Sequence, residues 1–211
     1  MIKNQRLVTN VKYQKGFTLT EIVVVIAILV LITVVVYSVQ VMSQRAYREG
    51  EISLEITQNG RIILERVSRE LRQAKDMVTE LPQIPDNPGN PPLSEIEFED
   101  GHTPSPYEDL GSEYYYIRYY VSDDSTDLKR QYRVYCFDDC SVCDSYFRWD
   151  DSRLVDSVEE NTHPCDLEEV IIGEYVTDLK FWGSNLINIF ITLSKDGKKI
   201  DLETKIFGRN F

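Results

Sequence analysis

Between Ile22 and Val36 the chain carries no charge and a single polar side chain, Thr33. With Phe17 and Leu19 in front and Tyr37 to Met42 behind, the apolar segment reaches about 20–25 residues. As a helix rising about 1.5 Å per residue, that is long enough to cross a bilayer. A buried core helix would show a polar face, and this run shows none. The run therefore predicts a single membrane-spanning helix over 17–42, embedded in lipid and followed by a separate water-soluble part. Lys3, Arg6, Lys12 and Lys15 all precede the run, and no acid stands among the first sixteen residues. The excess of basic residues on that side predicts a cytoplasmic N-terminus and an outward-facing body over 43–211.

The length of 211 residues suits one domain plus an accessory element, and the charged and apolar fractions are those of a chain with a packed core. The net charge is −12; without the four basic residues of the head it is −16, from 19 basic and 35 acidic residues. A body that acidic is not built to hold a phosphate backbone, which argues against nucleic acid as a partner. A secretory signal peptide is also basic and then apolar, but it is cut at small residues after the run. Here the run ends in Val39-Gln40-Val41-Met42-Ser43-Gln44-Arg45, with no such site. The unusual residue is Glu21, a carboxylate at the mouth of the span. A lone carboxylate in a bilayer costs about 2.5–3.5 kcal/mol on insertion scales, so it calls for a partner unless it stays at the headgroup level.

Lys15-Gly16-Phe17-Thr18-Leu19-Thr20-Glu21, followed directly by the span, resembles the class III signal of type IV prepilins and pseudopilins. The resemblance implies that residues 1–16 are a leader, that a membrane prepilin peptidase cuts between Gly16 and Phe17, and that the new Phe17 amine is methylated. It implies that Glu21, the fifth mature residue, meets the N-terminal amine of a neighbouring subunit during assembly. The implied partners are the peptidase, other pilin or pseudopilin subunits, an inner-membrane assembly platform and the lipid bilayer. Major pilins often carry a proline or glycine inside the span; this chain has none there. The segment from Arg61 to Ala74 resembles the helix of J-type minor pseudopilins and their minor pilin relatives.

Beyond Met42 the chain turns polar but keeps a helical period. Ile52, Ile56, Ile63, Val67, Leu71, Ala74 and Val78 form an apolar stripe, with Arg61, Glu65, Arg66, Arg69, Glu70 and Arg72 on the other side. The pattern predicts one helix from Leu19 to Val78, an i,i+4 pair Glu65–Arg69, and Gly50 and Gly60 as the points where it bends. Seven of the eight prolines lie between Pro82 and Pro106, which predicts a long irregular connection. Strands are expected at Glu95–Glu99, Glu113–Val121, Lys129–Phe137, Val170–Trp182, Leu186–Leu193 and Lys199–Phe207. The turns Ser122 to Thr126 and Lys195-Asp196-Gly197-Lys198 join two hairpins. A helix followed by an antiparallel sheet is an α+β, pilin-like plan.

Cys136, Cys140, Cys143 and Cys165 all lie beyond the span, so disulfides are the expectation, with three possible connectivities and Cys165 tied to the 136–143 cluster. Cys140-Ser141-Val142-Cys143 also has C-x-x-C spacing. It lacks a thioredoxin-like βαβ setting and sits among Asp138, Asp139 and Asp144, which raise a thiol pKa rather than lower it. Zinc on Cys140, Cys143, His163 and Cys165 is the rival reading. Asp123-x-Ser125-x-Asp127 lacks the glycine and the terminal acid of an EF-hand, having Leu128 and Val134 there. The acids Asp138, Asp139, Asp144, Asp150 and Asp151 read as a solvated loop or a calcium site. Tyr114 to Tyr116 read as strand residues. His102 and His163 sit in loops, and no nucleophile elbow, HExxH or phosphate loop appears. The reading is a non-enzymatic minor pilin or minor pseudopilin without a cofactor, placed by its resemblance in a pilus or a type II secretion-like pseudopilus. The other reading is a single-span, membrane-anchored protein whose head binds a ligand or metal. Cleavage at Gly16 separates the two.

Overall fold

The computed structural model describes residues 16–85, 87–102, 107–122 and 124–208. The expected leader up to Lys15 and Asp123 of the expected hairpin turn therefore lie outside the described residues. The chain divides into two compact units, 1–49 and 50–211. A single helix, α1 (Leu19–Gln73), contributes to both.

In the first unit, α1 is apolar on every side, and from Ile22 to Val36 every side chain is exposed. Its hydroxyls are absorbed by the helix itself: Thr33 donates to the carbonyls of Leu29 and Val30, and Ser38 to that of Val34. Neither hydroxyl is thus left for lipid to satisfy, and from Ile22 to Val36 what faces outward is aliphatic.

The second unit is α+β. A four-stranded antiparallel sheet has the order β1 (Glu95–Glu99), β2 (Tyr116–Val121), β3 (Leu128–Cys136), β6 (His163–Gly173). A three-stranded antiparallel sheet follows as β7 (Val176–Trp182), β8 (Leu186–Lys195), β9 (Lys198–Phe207). A separate hairpin, β4 (Ser152–Val155) with β5 (Val158–Asn161), lies between β3 and β6 in sequence. The stripe Ile56, Gly60, Ile63, Val67, Leu71 and Ala74 is buried. It packs against Ile96 and Phe98 of β1, Ile117 and Tyr119 of β2, and Ile189, Ile191 and Leu193 of β8. One apolar face of the helix thus joins both sheets in a single core.

Four expectations are corrected. His163, expected in a loop, opens β6 because it pairs with Cys136 at the end of β3. The helix stops at Gln73, not Val78, because the residues after it pair with β1. Lys75 N–H donates to Glu99 O at 3.0 Å, Val78 N–H to Glu97 O at 3.0 Å, and Glu99 N–H to Asp76 O at 2.8 Å. The backbone groups that would extend the helix instead protect the edge of a sheet. The expected strand Val170–Trp182 is two strands in different sheets. The break falls at Glu174 and Tyr175, where Tyr175 has φ +66°. That corner is held by Asn59 Nδ2 on Glu174 O at 2.8 Å, Ser194 N–H on Tyr175 O at 2.8 Å, and Lys195 Nζ on Tyr175 Oη at 2.9 Å. The i,i+4 pair on α1 is Arg66–Glu70 at 3.5 Å, and Glu65–Arg69 does not form. The β4–β5 hairpin was not expected. It turns through Asp156 and Ser157, both at positive φ, without the glycine that marks the Asp196-Gly197 turn.

Candidate functional site

The N-terminal site is built by the start of α1. Thr18 N–H and Thr18 Oγ1 both donate to Glu21 Oε2 at 2.9 Å, and Glu21 N–H donates back to Thr18 Oγ1 at 3.3 Å. This is a capping box: two amides left without helical partners are satisfied by two side chains three residues apart. The signal was legible as Thr-x-x-Glu before an apolar run, and the sequence reading missed it. The cap turns the Glu21 carboxylate back toward the Phe17 end of the chain. That is the side on which cleavage after Gly16 would create an amine. Phe17 is 83 % exposed, and a Cβ added at Gly16 would meet nothing within 4 Å. Packing therefore does not require glycine at position 16.

The cysteines form a second locus. Cys136 is bonded to Cys143 and Cys140 to Cys165. The expected link from Cys165 to the cluster is the second of these. The two cysteines of the C-x-x-C stretch are not bonded to each other, so it is not a closed dithiol motif. The zinc reading named Cys140, Cys143, His163 and Cys165. Ligand atoms of Cys140, His163 and Cys165 do lie within 4.8 Å of one another. All four sulfurs are consumed in disulfides, and a disulfide sulfur lacks the thiolate charge that zinc requires. The bridges tie the loop carrying Cys140 and Cys143 to β3 at Cys136 and to β6 at Cys165, beside the apolar cluster of Tyr115, Val134 and Leu167.

The acidic loop is dispersed rather than convergent. Arg153 takes Asp138 at 3.0 Å, and Arg148 takes Asp150 at 3.2 Å. Asp139 accepts the Ser141 amide and hydroxyl at 3.0 Å, which lowers its pKa. Asp151 accepts the Arg148 amide at 2.8 Å. Of the tyrosine run, Tyr115 donates to Tyr107 O at 2.6 Å and Tyr116 Oη accepts the Trp149 amide at 3.1 Å. Tyr116 opens β2 as expected, whereas Tyr114 and Tyr115, also expected in the strand, precede it because β1 ends at Glu99, the partner of Tyr116.

A buried polar network ties α1 to the four-stranded sheet. Glu70 accepts from Arg130 Nε at 2.8 Å and from the Tyr119 hydroxyl, and Arg130 Nη2 donates to Tyr132 Oη at 2.5 Å. Burial and the adjacent carboxylate hold the Tyr119 phenol well above its ordinary pKa. The periodicity of α1 put Glu70 on its polar side, and only the sheet shows what it meets.

A bare, single-pass apolar helix capped by Thr18 and Glu21, leading into a disulfide-bonded α+β head, defines a membrane-anchored protein with a pilin-like fold. Residues 11–37 match the family model described as the prokaryotic N-terminal methylation motif. The chain thus carries the class III signal of type IV prepilins and pseudopilins. A search of curated proteins and one of solved structures found no match.

Proposed function

We propose that this protein is a non-enzymatic filament subunit, a minor pilin or minor pseudopilin. It is held in the cytoplasmic membrane as a precursor with its head outside, cut by a prepilin peptidase after Gly16, and N-methylated on Phe17. It then enters a type IV pilus or a type II secretion-like pseudopilus through α1. The observation that carries the reading is the arrangement at the start of α1. An exposed Gly16-Phe17 bond precedes a carboxylate already turned toward it, on a span with no protein around it. Pairing of Glu21 with the amine of a neighbour removes two charges that a bilayer disfavours, and the aliphatic surface supplies the packing once helices gather.

The test is the intact mass of the protein extracted from membranes of cells with and without a prepilin peptidase. The expected product begins at a methylated Phe17 only where the peptidase is present. A chain that keeps Met1 to Gly16 in both cells is a plain membrane-anchored head. Measured after alkylation without reductant, the same mass carries no alkyl adducts if both disulfides form in cells.

A further inference from the structure

In its second half α1 carries a stripe distinct from the one that faces the core. Arg61, Glu65, Arg69 and Arg72 follow one another at steps of three and four residues, and all four are exposed. With Leu64 and Ser68 of α1 and Leu202, Glu203 and Thr204 of β9, they line an open groove of about 610 Å³.

Two properties of this groove stand out. The first is unspent charge. The arginines of the four-stranded sheet, Arg118, Arg130 and Arg133, each hold a carboxylate, as do Arg148 and Arg153 of the cysteine region. Arg61, Arg69 and Arg72 hold none among the described residues, in a chain with 35 acidic residues against 23 basic ones. The second is an open strand edge. β9 pairs with β8 on one side and with no strand on the other. Every second residue of such an edge turns an N–H and a C=O outward. The groove therefore offers backbone hydrogen bonds along one wall, and along the other three guanidinium groups with Glu65 between Arg61 and Arg69.

We propose that this groove docks an extended acidic segment of a partner protein, added to β9 as a fourth strand with carboxylates four residues apart against Arg61 and against the Arg69–Arg72 pair. The dimensions agree. Eight residues of helix separate Arg61 from Arg69, about 12 Å at about 1.5 Å per residue, and Arg72 stands about 4.5 Å further on. Alternate positions of a strand recur about every 6.7 Å, so carboxylates four residues apart stand about 13 Å apart, with the position between them facing Glu65. Guanidinium groups bind carboxylates in bidentate pairs, and main-chain pairing to an edge supplies affinity while side chains supply selectivity. A small free anion would engage Arg69 and Arg72, three residues apart, and leave Arg61 unused. On β9 itself Lys199 is paired with Asp201 and Lys205 with Glu203, so the edge adds little net charge and the arginines of α1 carry the selectivity. The inference does not rest on the filament reading, since a head on an uncleaved anchor presents the same groove.

The test uses the full-length protein in detergent and a fluorescein-labelled peptide, Thr-Glu-Val-Thr-Val-Glu-Thr, followed by anisotropy and by amide exchange. The expected result is saturable binding that weakens with salt, slowed exchange of amides within 200–206, and at least about a tenfold loss of affinity in R61A/R69A/R72A. The three arginines are exposed and unpaired, so the variant should keep the melting temperature of the parent. Should it not, the peptide with Gln in place of Glu replaces it on the unmodified protein and should lose the same affinity. Four results overturn the proposal: no binding of the acidic peptide, equal binding by the triple variant, equal binding of the Gln peptide, or binding without protection in β9.

Discussion

Glu21 has two separable properties, an oxygen that caps α1 and a charge that needs a counterion. Glutamine keeps the first and removes the second, because the N3 position of a capping box accepts either side chain. Glu21→Gln should therefore leave cleavage after Gly16 and the exchange of the first helical amides unchanged, while incorporation into filaments is lost. Thr18→Ala should do the reverse at the cap. It costs about 1 kcal/mol of local helix stability, read as faster exchange at Leu19–Ile22. A Glu21→Gln chain that assembles normally would remove the charge from the account. In the head, Arg130 is the residue on which the junction between helix and sheet depends. Its side chain is 9 % exposed and its carboxylate partner Glu70 is 13 % exposed. Arg130→Met should cost about 3 kcal/mol by leaving Glu70 and the Tyr132 hydroxyl without it, seen as a lower urea midpoint. In Glu70→Leu/Arg130→Met the loss should be less than the sum of the two single losses, as for groups that share a bond.

Among the elements, α1 lies so close to the sheets that two glycines set the approach. A Cβ at Gly173 would stand 2.1 Å from Ile63 Cδ1 and 2.5 Å from its Cγ1. At Gly60 it would stand 2.5 Å from Leu202 Cδ1 and 2.9 Å from Leu193 Cδ1. Ile63 is buried in the helix–sheet core, so it has little room to retreat, whereas Leu202 is half-buried and can turn away. Gly60→Ala also gains up to about 1 kcal/mol of helix propensity. Gly173→Ala should cost about 2–3 kcal/mol and Gly60→Ala distinctly less, compared by thermal unfolding of the two variants. The stripe spacing of α1 and the Asp196-Gly197 turn were legible because they depend on neighbours in sequence. The corner at Tyr175 and the end of the helix at Gln73 were not. Both are fixed by bonds to residues far along the chain: Ser194 and Asn59 in one case, Glu97 and Glu99 in the other.

At the scale of the whole molecule, the acidic head makes stability a function of pH with two opposing parts. Burial raises the pKa of Glu99 and Asp100. Such groups favour folding when protonated, so their contribution is full below their unfolded values and is lost as pH rises through the raised ones. Hydrogen bonds from Lys129 and Tyr120 lower the pKa of Glu169, and those from Ser141 lower that of Asp139. Their contribution is present above their unfolded values and is lost as pH falls through the lowered ones. The net charge of −12 also relaxes as pH falls toward the pI of about 4.7. Urea unfolding in detergent should therefore show the head more stable at about pH 5 than at pH 7, and weaker again below about pH 3.5. A midpoint that only falls from pH 7 downward would contradict the burial of Glu99 and Asp100.

By itself the sequence determined the anchor, the processing signal and the α+β plan. Each rests on local quantities: the length of an apolar run, the order Gly16, Phe17 and Glu21, and the periods of helix and strand. It also held the Thr18–Glu21 cap, which was missed although its spacing is local. The tertiary structure alone decided which cysteines join, that Val170–Trp182 divides between two sheets, what Glu70 meets, and that Arg61, Arg69 and Arg72 line a groove with an open strand edge. Those depend on distances between residues far apart in the chain, which folding sets by burying one helix face against two sheets at once.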